Sequence, residues 1–262
     1  MPRGLSVVDS VVIKVGGNEL DDAAFLDRFI AVLVRMTDPR PVLVHGGGKE
    51  IAALQKQLGL QPAFVDGLRV TDAESLRVAE MVLSGTVNKR LVARLVAAGA
   101  AAVGLSGVDL GLIRVEKMRH SAGDLGFVGA VKEVNARGLQ SLLTAGLLPV
   151  ISPISLGLDG GTYNVNADHA ALGIARGLGA RSLLLVTNVA GVMAGGQVLE
   201  RLGAAQAQAL IADGTISGGM VPKVRSALEA VEAGVPEAII TDVGGLEIIA
   251  TGGRAGTAVV QG

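Results

Sequence analysis

The sequence contains no cysteine and no tryptophan. Without cysteine there is no disulfide framework, no thiolate metal site and no thiol nucleophile. Aromatic residues make up 2% of the chain, which leaves little on which nucleic-acid bases could stack. Excess positive charge is missing as well. The 23 Lys and Arg stand against 24 Asp and Glu for a formal charge of -1, so no nucleic-acid partner is expected. A membrane-spanning run is also lacking. The uncharged stretch from Gly138 to Leu158 is broken by Pro149 and Pro153 and by polar residues such as Gln140, Ser141 and Ser152, and it reads as a helix followed by a buried strand. Asp9 and Lys14 interrupt the first apolar stretch, so no signal-peptide core forms. The expected setting is cytoplasmic, with no membrane partner.

Apolar surface and glycine are abundant. Half of the 262 residues are hydrophobic and only 18% are charged, which excludes a disordered chain. The 38 glycines are about twice the usual ~7% share. Short β-branched runs at Val11–Val15, Pro41–His45, Ala101–Leu105, Leu147–Ile151, Leu183–Thr187, Ala238–Thr241 and Gly256–Val260 read as strands, apolar enough to be covered on both faces. Helical patterns alternate with them: Ala23–Met36, Lys49–Leu58, Asp72–Ala97, Ala136–Leu143, Ala167–Leu178, Ala204–Ala212 and Val221–Ala233. This alternation predicts an α/β fold with a largely parallel sheet. Thr71-Asp72-Ala73-Glu74 reads as a capping box, and Gly146, Gly179 and Gly234 as helix stops. Gly123–Val134 reads as a hairpin or an excursion from the sheet. A boundary near Gly177–Gly179 divides a longer first lobe, 1–177, from a shorter second one, 178–262.

Two glycine clusters directly follow strands: Lys14-Val15-Gly16-Gly17 and His45-Gly46-Gly47-Gly48-Lys49. Such turns either serve only to reverse the chain or aim free backbone N–H groups at a phosphate. Neither matches the Walker or GxGxxG pattern. Lys14 in an apolar strand is either an edge charge or an ammonium facing an anion. Asn164-Val165-Asn166-Ala167-Asp168 carries more alternating polar groups than a helix cap needs. Lys223, beside Gly218-Gly219 and Pro222, opposes the dipole of the helix it opens, which an anion between them would relieve. His45, His120 and His169 lack metal-ligand spacing, so no metal-binding side chains are expected. Gly104-Leu105-Ser106-Gly107 lacks the spacing of a nucleophile elbow.

Taken in order, Ile13–Gly17, His45–Gly48, Gly67–Asp72, Met81–Leu83 with Val87–Lys89, Asn164–Asp168 and Gly218–Lys223 resemble the amino-acid kinase family, in particular its branch that phosphorylates N-acetyl-L-glutamate. The resemblance covers nearly the whole chain. It implies a three-layer αβα sandwich around a mainly parallel sheet, with acetylglutamate binding and dimerisation in lobe 1–177 and ATP in lobe 178–262. The implied reaction moves the γ-phosphoryl group of ATP to the side-chain carboxylate of N-acetyl-L-glutamate in arginine biosynthesis. Mg2+ would be held mainly by the nucleotide phosphates.

Residue by residue, Lys14 and Lys223 match the lysines that neutralise the transferring phosphoryl group, and Asp168 the aspartate that holds them. Gly16, Gly17, Gly46 and Gly47 match backbone contacts to phosphoryl oxygens and substrate. Arg69 and Asn164 match contacts to the acceptor. Thr187, Asn188, Gly191 and Gly219 are expected near the nucleotide, with Asn188 standing where this branch more often has Asp. The tail Asp242–Arg254 matches the family poorly.

Two rivals share parts of this pattern: a kinase acting on aminoadipate attached to a carrier protein, and a non-catalytic amino-acid sensor. A carrier would need a basic docking face, and a sensor would not need both lysines with Asp168. Only Met1–Ser10 precedes the first expected strand. The expectation is therefore a homodimer, insensitive to arginine, without the N-terminal helix that joins dimers into rings in the family's arginine-inhibited members.

Overall fold

The computed structural model describes residues 7–261 apart from Gly67 and Ala122. Met1–Ser6, on which part of the N-terminal expectation rests, lie outside the described residues, as does Gly67 of the Gly67–Asp72 segment. The chain opens with β1 (Ser10–Val15), α1 (Gly17–Leu20), α2 (Ala23–Arg35), β2 (Arg40–His45) and α3 (Gly48–Gln57). A small hairpin, β3 (Ala63–Val65) and β4 (Leu68–Val70), precedes a long helical run made of α4 (Ala73–Glu80), a π-helical segment (Met81–Val87) and α5 (Asn88–Ala97). Next come β5 (Ala102–Gly107), β6 (Ile113–Lys117), β7 (Gly129–Val134), α6 (Ala136–Thr144), β8 (Leu148–Gly157), β9 (Thr162–Asn164) and α7 (Ala167–Leu178). The remainder comprises β10 (Ser182–Val186), the short strands β11 (Met193–Ala194), β12 (Gln197–Val198) and β13 (Arg201–Leu202), then α8 (Ala204–Ala212) and α9 (Met220–Glu232). It ends with β14 (Ala238–Thr241), α10 (Val243–Ala250) and β15 (Thr257–Val259).

One 11-stranded sheet runs in the order β13-β15-β14-β10-β1-β2-β8-β6-β7, with β5 and β9 also paired to β8. Pairing is parallel through its centre and antiparallel at β14–β15, β6–β7 and β8–β9. The core divides as strand alternation requires. Val11, Ile13 and Val15 pack with Phe29 and Leu33 of α2 on one face, whereas Val12 packs with Ala171 and Ile174 of α7 on the other. Full burial of a side chain such as Phe29 is worth roughly 2–3 kcal/mol. The result is the expected three-layer sandwich. Because β1 lies between β10 and β2, Lys14 is not an edge charge. It shares the α7 face with Val12.

Three local expectations need correction. Helix α4 is capped by Asp72, whose carboxylate accepts from Ser75 N–H at 2.7 Å. Thr71 instead donates its hydroxyl to Arg69 O at 2.9 Å. Its backbone is tied to Leu125 and Phe127, so the helix starts one residue later. The run 73–97 is helical, but its middle is π-helix. Strand β8 is twice as long as expected, because it changes partners along its length, from β2 and β5 to β6 and β9. The uncharged stretch 138–158 is indeed a helix followed by a strand, and no helix among the described residues is long and apolar enough to cross a membrane. Gly146, Gly179 and Gly234 all have positive φ at helix ends.

Candidate active site

Lys14 emerges near the end of β1 on the face covered by α7, and Asp168 occupies the first turn of that helix. Their Nζ and Oδ1 atoms are 2.9 Å apart, with side chains 18% and 28% exposed. Asn166 supplies the helix cap, its Oδ1 accepting from Asp168 N–H at 2.8 Å. The Asp168 carboxylate is thereby left to the ammonium group.

Two glycine turns flank this pair. A Cβ added to Gly17 would sit 3.0 Å from Gly47 Cα, and one added to Gly47 would meet Leu83 Cδ2 at 2.9 Å. The turns therefore touch backbone to backbone, and Gly46 N–H is fixed on Val15 O at 3.0 Å.

Arg69 reaches the same place from β4. Its Nη1 donates to Gln55 Oε1 at 2.5 Å and its Nη2 to Gly48 O at 3.1 Å. The guanidinium lies 4.6 Å from the Phe64 ring, its cross-strand neighbour in the hairpin. Gln55 is fully buried and donates onward to Ser75 Oγ at 2.9 Å. Burial lowers the Arg69 pKa from its ordinary value, yet a guanidinium stays charged at neutral pH.

Lys14, Gly16, Gly17, Gly46, Gly47, Arg69, Asn164 and Asp168 thus line one cleft of about 250 Å³, together with apolar residues including Leu68 and Val128. Asn164 Nδ2 lies 3.4 Å from Thr71 Oγ1. Thr187, Asn188, Gly191, Gly219 and Lys223 do not line it. Thr187 Oγ1 lies 3.3 Å from Glu19 Oε1 and 3.3 Å from Asn188 Oδ1. Gly191 leaves room for Thr257 and Val198. Lys223 Nζ lies 3.4 Å from Gly219 O and pairs with no carboxylate among the described residues.

Sequence reasoning missed the partners Gln55, Glu19 and Phe64, and it placed Asn88 in the Val87–Lys89 segment without its contact to His45. It placed His45 at the head of the second glycine cluster but gave its side chain no role beyond that of a poor metal ligand. The ring is fully buried, with Nδ1 3.0 Å from Gly46 O and Nε2 3.1 Å from Asn88 Nδ2. Burial pushes its pKa down to about 4, aided by Arg90 and Lys89 and opposed by the Gly46 bond. The unfolded histidine titrates near 6.5. As pH falls from 6.5 to 4, the unfolded chain gains a proton that the folded one lacks, and stability drops by about 3 kcal/mol. Above that window the contribution is complete, and below it nothing more is lost. Urea unfolding at several pH values checks this: His45→Asn should lose that part of the acid dependence.

A model described as the amino acid kinase family matches residues 9–242. The chain belongs to the amino acid kinase family. Among similar members of the family is the acetylglutamate kinase of Roseiflexus castenholzii (strain DSM 13941 / HLO8), 57% identical over 237 residues that cover 90% of this chain and 91% of that one. The acetylglutamate kinase of Chloroflexus aggregans (strain MD-66 / DSM 9485) is 52% identical over 236 residues, 90% and 92% of the two chains. The N-acetylglutamate synthase of Neisseria gonorrhoeae, solved with coenzyme A and N-acetyl-glutamate, superimposes with a TM-score of 0.83 at 26% identity. That match covers 97% of this chain and 60% of the synthase. The family match stops at 242, where the poorly matching tail Asp242–Arg254 begins; that tail forms α10, and β15 beyond it pairs with β14 in the main sheet.

Proposed function

We propose that the chain is an acetylglutamate kinase, which transfers the γ-phosphoryl group of ATP to the side-chain carboxylate of N-acetyl-L-glutamate in arginine biosynthesis. The observation that carries this reading is the convergence of the Lys14–Asp168 pair, two touching glycine turns and Arg69 on one cleft. The cleft's relatives in sequence bear the same activity in their names. A glutamate side chain has a pKa near 4.3, so the acceptor is already ionised at neutral pH and needs no general base. A carboxylate oxygen forms the new P–O bond, the bond from the γ-phosphorus to the bridging oxygen breaks, and ADP leaves with that electron pair. What remains for the protein is alignment and charge neutralisation. Lys14 faces the transferring group, Asp168 orients Lys14, and the amides of Gly16, Gly17 and Gly47 face its oxygens, while Gly46, its own N–H held on Val15 O, shapes the turn beside them. Arg69 and Asn164 hold the acceptor.

Every residue lining the cleft precedes residue 178, which supports assigning 1–177 to the acceptor. ATP falls to 178–262, with Thr187, Asn188, Gly191 and Gly219 around it and Lys223 reaching its phosphates from α9. Among the described residues no three His, Asp or Glu side chains converge on a metal site, and Asp168 is committed to Lys14. Mg2+ therefore enters this reading on the nucleotide's own phosphates, where it neutralises charge. The reading also includes a cytoplasmic homodimer. Light scattering measures the assembly.

A phosphorylation assay with acetylglutamate, carrier-bound aminoadipate or no acceptor tests the function. Turnover with acetylglutamate alone is expected; turnover only on the carrier-bound acceptor, or none at all, overturns the reading. In the same assay Arg69→Lys should raise KM for acetylglutamate about tenfold or more with a smaller change in kcat, because an ammonium cannot make the paired hydrogen bonds of a guanidinium. A defect confined to KM for ATP would remove Arg69 from the acceptor side.

A further inference from the structure

The His45–Asn88 contact lies behind the cleft, among groups that the proposed chemistry does not use. Asn88 Nδ2 is 2.9 Å from Val150 O, 3.3 Å from Leu105 O and 3.1 Å from His45 Nε2. Carbonyls can only accept, so the atom facing them is the amide nitrogen, and His45 Nε2 must accept from it. Lys89 Nζ, 3.1 Å from Asn88 Oδ1 and 3.0 Å from Gly104 O, holds the other end of the amide. With Nε2 an acceptor, the neutral ring carries its proton on Nδ1 and donates it to Gly46 O at 3.0 Å. A trans peptide points its C=O and the following N–H in opposite directions. Drawing Gly46 O toward His45 therefore turns Gly47 N–H the other way. Gly47 lines the cleft, and no group among the described residues accepts from that N–H.

The surroundings reinforce this arrangement. The π-helical segment ends at Val87 and delivers Asn88 directly beneath the turn. π-Helical turns often occur at functional sites, and this one places Leu83 and Val87 against Gly47, where an added Cβ would meet them at 2.9 and 3.2 Å. Gly104 leaves the space that Asn88 fills, since a Cβ there would lie 2.2 Å from Asn88 Oδ1.

We propose that His45 is a positioning residue: locked by Asn88, it orients the Gly46–Gly47 peptide so that Gly47 N–H is presented to the phosphoryl group or its acceptor. The inference rests on the kinase reading above. Two substitutions separate the two bonds of the ring. Asparagine carries its amide nitrogen about where Nδ1 lies and keeps the donor to Gly46. Glutamine reaches the Nε2 position and keeps only the contact to Asn88.

The experiment is steady-state kinetics on purified wild type, His45→Gln and His45→Asn, with melting temperatures measured alongside. His45→Gln should lower kcat by about 10- to 100-fold, the scale for a misplaced group, with KM for ATP within about twofold of wild type. His45→Asn should restore kcat to within about fivefold. Equal kcat losses in the two variants, or wild-type kcat in His45→Gln, overturn the proposal. Should His45→Gln not fold, His45→Asn alone decides: a kcat within about fivefold of wild type supports the proposal, and a larger loss overturns it. Failure of the kinase reading is separately visible as absence of turnover in the wild type.

Discussion

Lys14→Ala should lower kcat by about 10²- to 10³-fold, the usual cost of removing one electrostatic group aimed at a developing charge, while leaving the circular dichroism spectrum unchanged. The geometry makes this substitution worse than a simple deletion. Asp168 has its ammonium partner at 2.9 Å, and without it an unpaired carboxylate would face the anionic reactants across a partly desolvated cleft. Lys14→Ala with Asp168→Asn should therefore be less impaired than the two single effects multiplied together, as expected for side chains in direct contact. Lys223→Ala should reduce kcat on a similar scale through its proposed role beside the nucleotide. Asp168→Asn should give that variant no such relief, because Lys223 is not paired with Asp168 here. Single-turnover measurements at saturating ATP read both effects, and near-normal turnover in folded Lys14→Ala would remove Lys14 from the chemistry.

Gly17→Ala should damage the site out of proportion to the one methyl group it adds. The new Cβ would lie 3.0 Å from Gly47 Cα and within 3.3 Å of Gly47 N and C. Those are backbone atoms, and Gly47 is itself backed by Leu83 and Val87. Neither side has a flexible chain end to yield, so the two turns must part. Overpacking of this kind costs about 1–3 kcal/mol, and displacing both sets of amides from a common target should cut kcat about 10- to 100-fold. Gly48→Ala is the matched control for added bulk, since nothing lies within 4 Å of its Cβ position. Kinetics and thermal unfolding of the pair check the prediction: equal effects in the two variants would mean that contact between the turns is not what matters.

The parts legible from sequence are those whose residues reveal their environment locally. Strands β1, β2, β10 and β14 are each built on a short apolar run because both faces are covered, and α7 occupies the predicted residues Ala167–Leu178. The glycine turns were legible because only glycine permits such close approach. Strands β3, β4, β9 and β11–β13 span two or three residues each, too few to display a period. The cap of α4 was misplaced by one residue because Thr71 and Asp72 are both competent, and tertiary pairing of Thr71 decides between them. A π-helical turn changes which carbonyl each N–H meets without disturbing the apolar pattern, so Met81–Val87 read as ordinary helix. The contacts that brace the cleft, such as His45 to Asn88, Arg69 to Gln55 and Thr187 to Glu19, join residues distant in the chain. No local pattern in one sequence encodes them.

The central place of β1 has a consequence for how the chain is made. Val11 through Val15 leave the ribosome well before Ser182 through Val186, with which one flank of that strand pairs. Until then the nascent chain carries an open, apolar strand edge in the middle of its future sheet, the type of surface that recruits other chains. The same reasoning applies to dissection. A fragment starting at residue 178 would keep β14 beside Ser182–Val186 but uncover the edge that β1 covers in the intact protein, where every one of these residues is buried, so a cut there should yield two sticky pieces. Catalytic labour can be divided along the chain, but the sheet that supports it closes only when Ser182–Val186 reach β1.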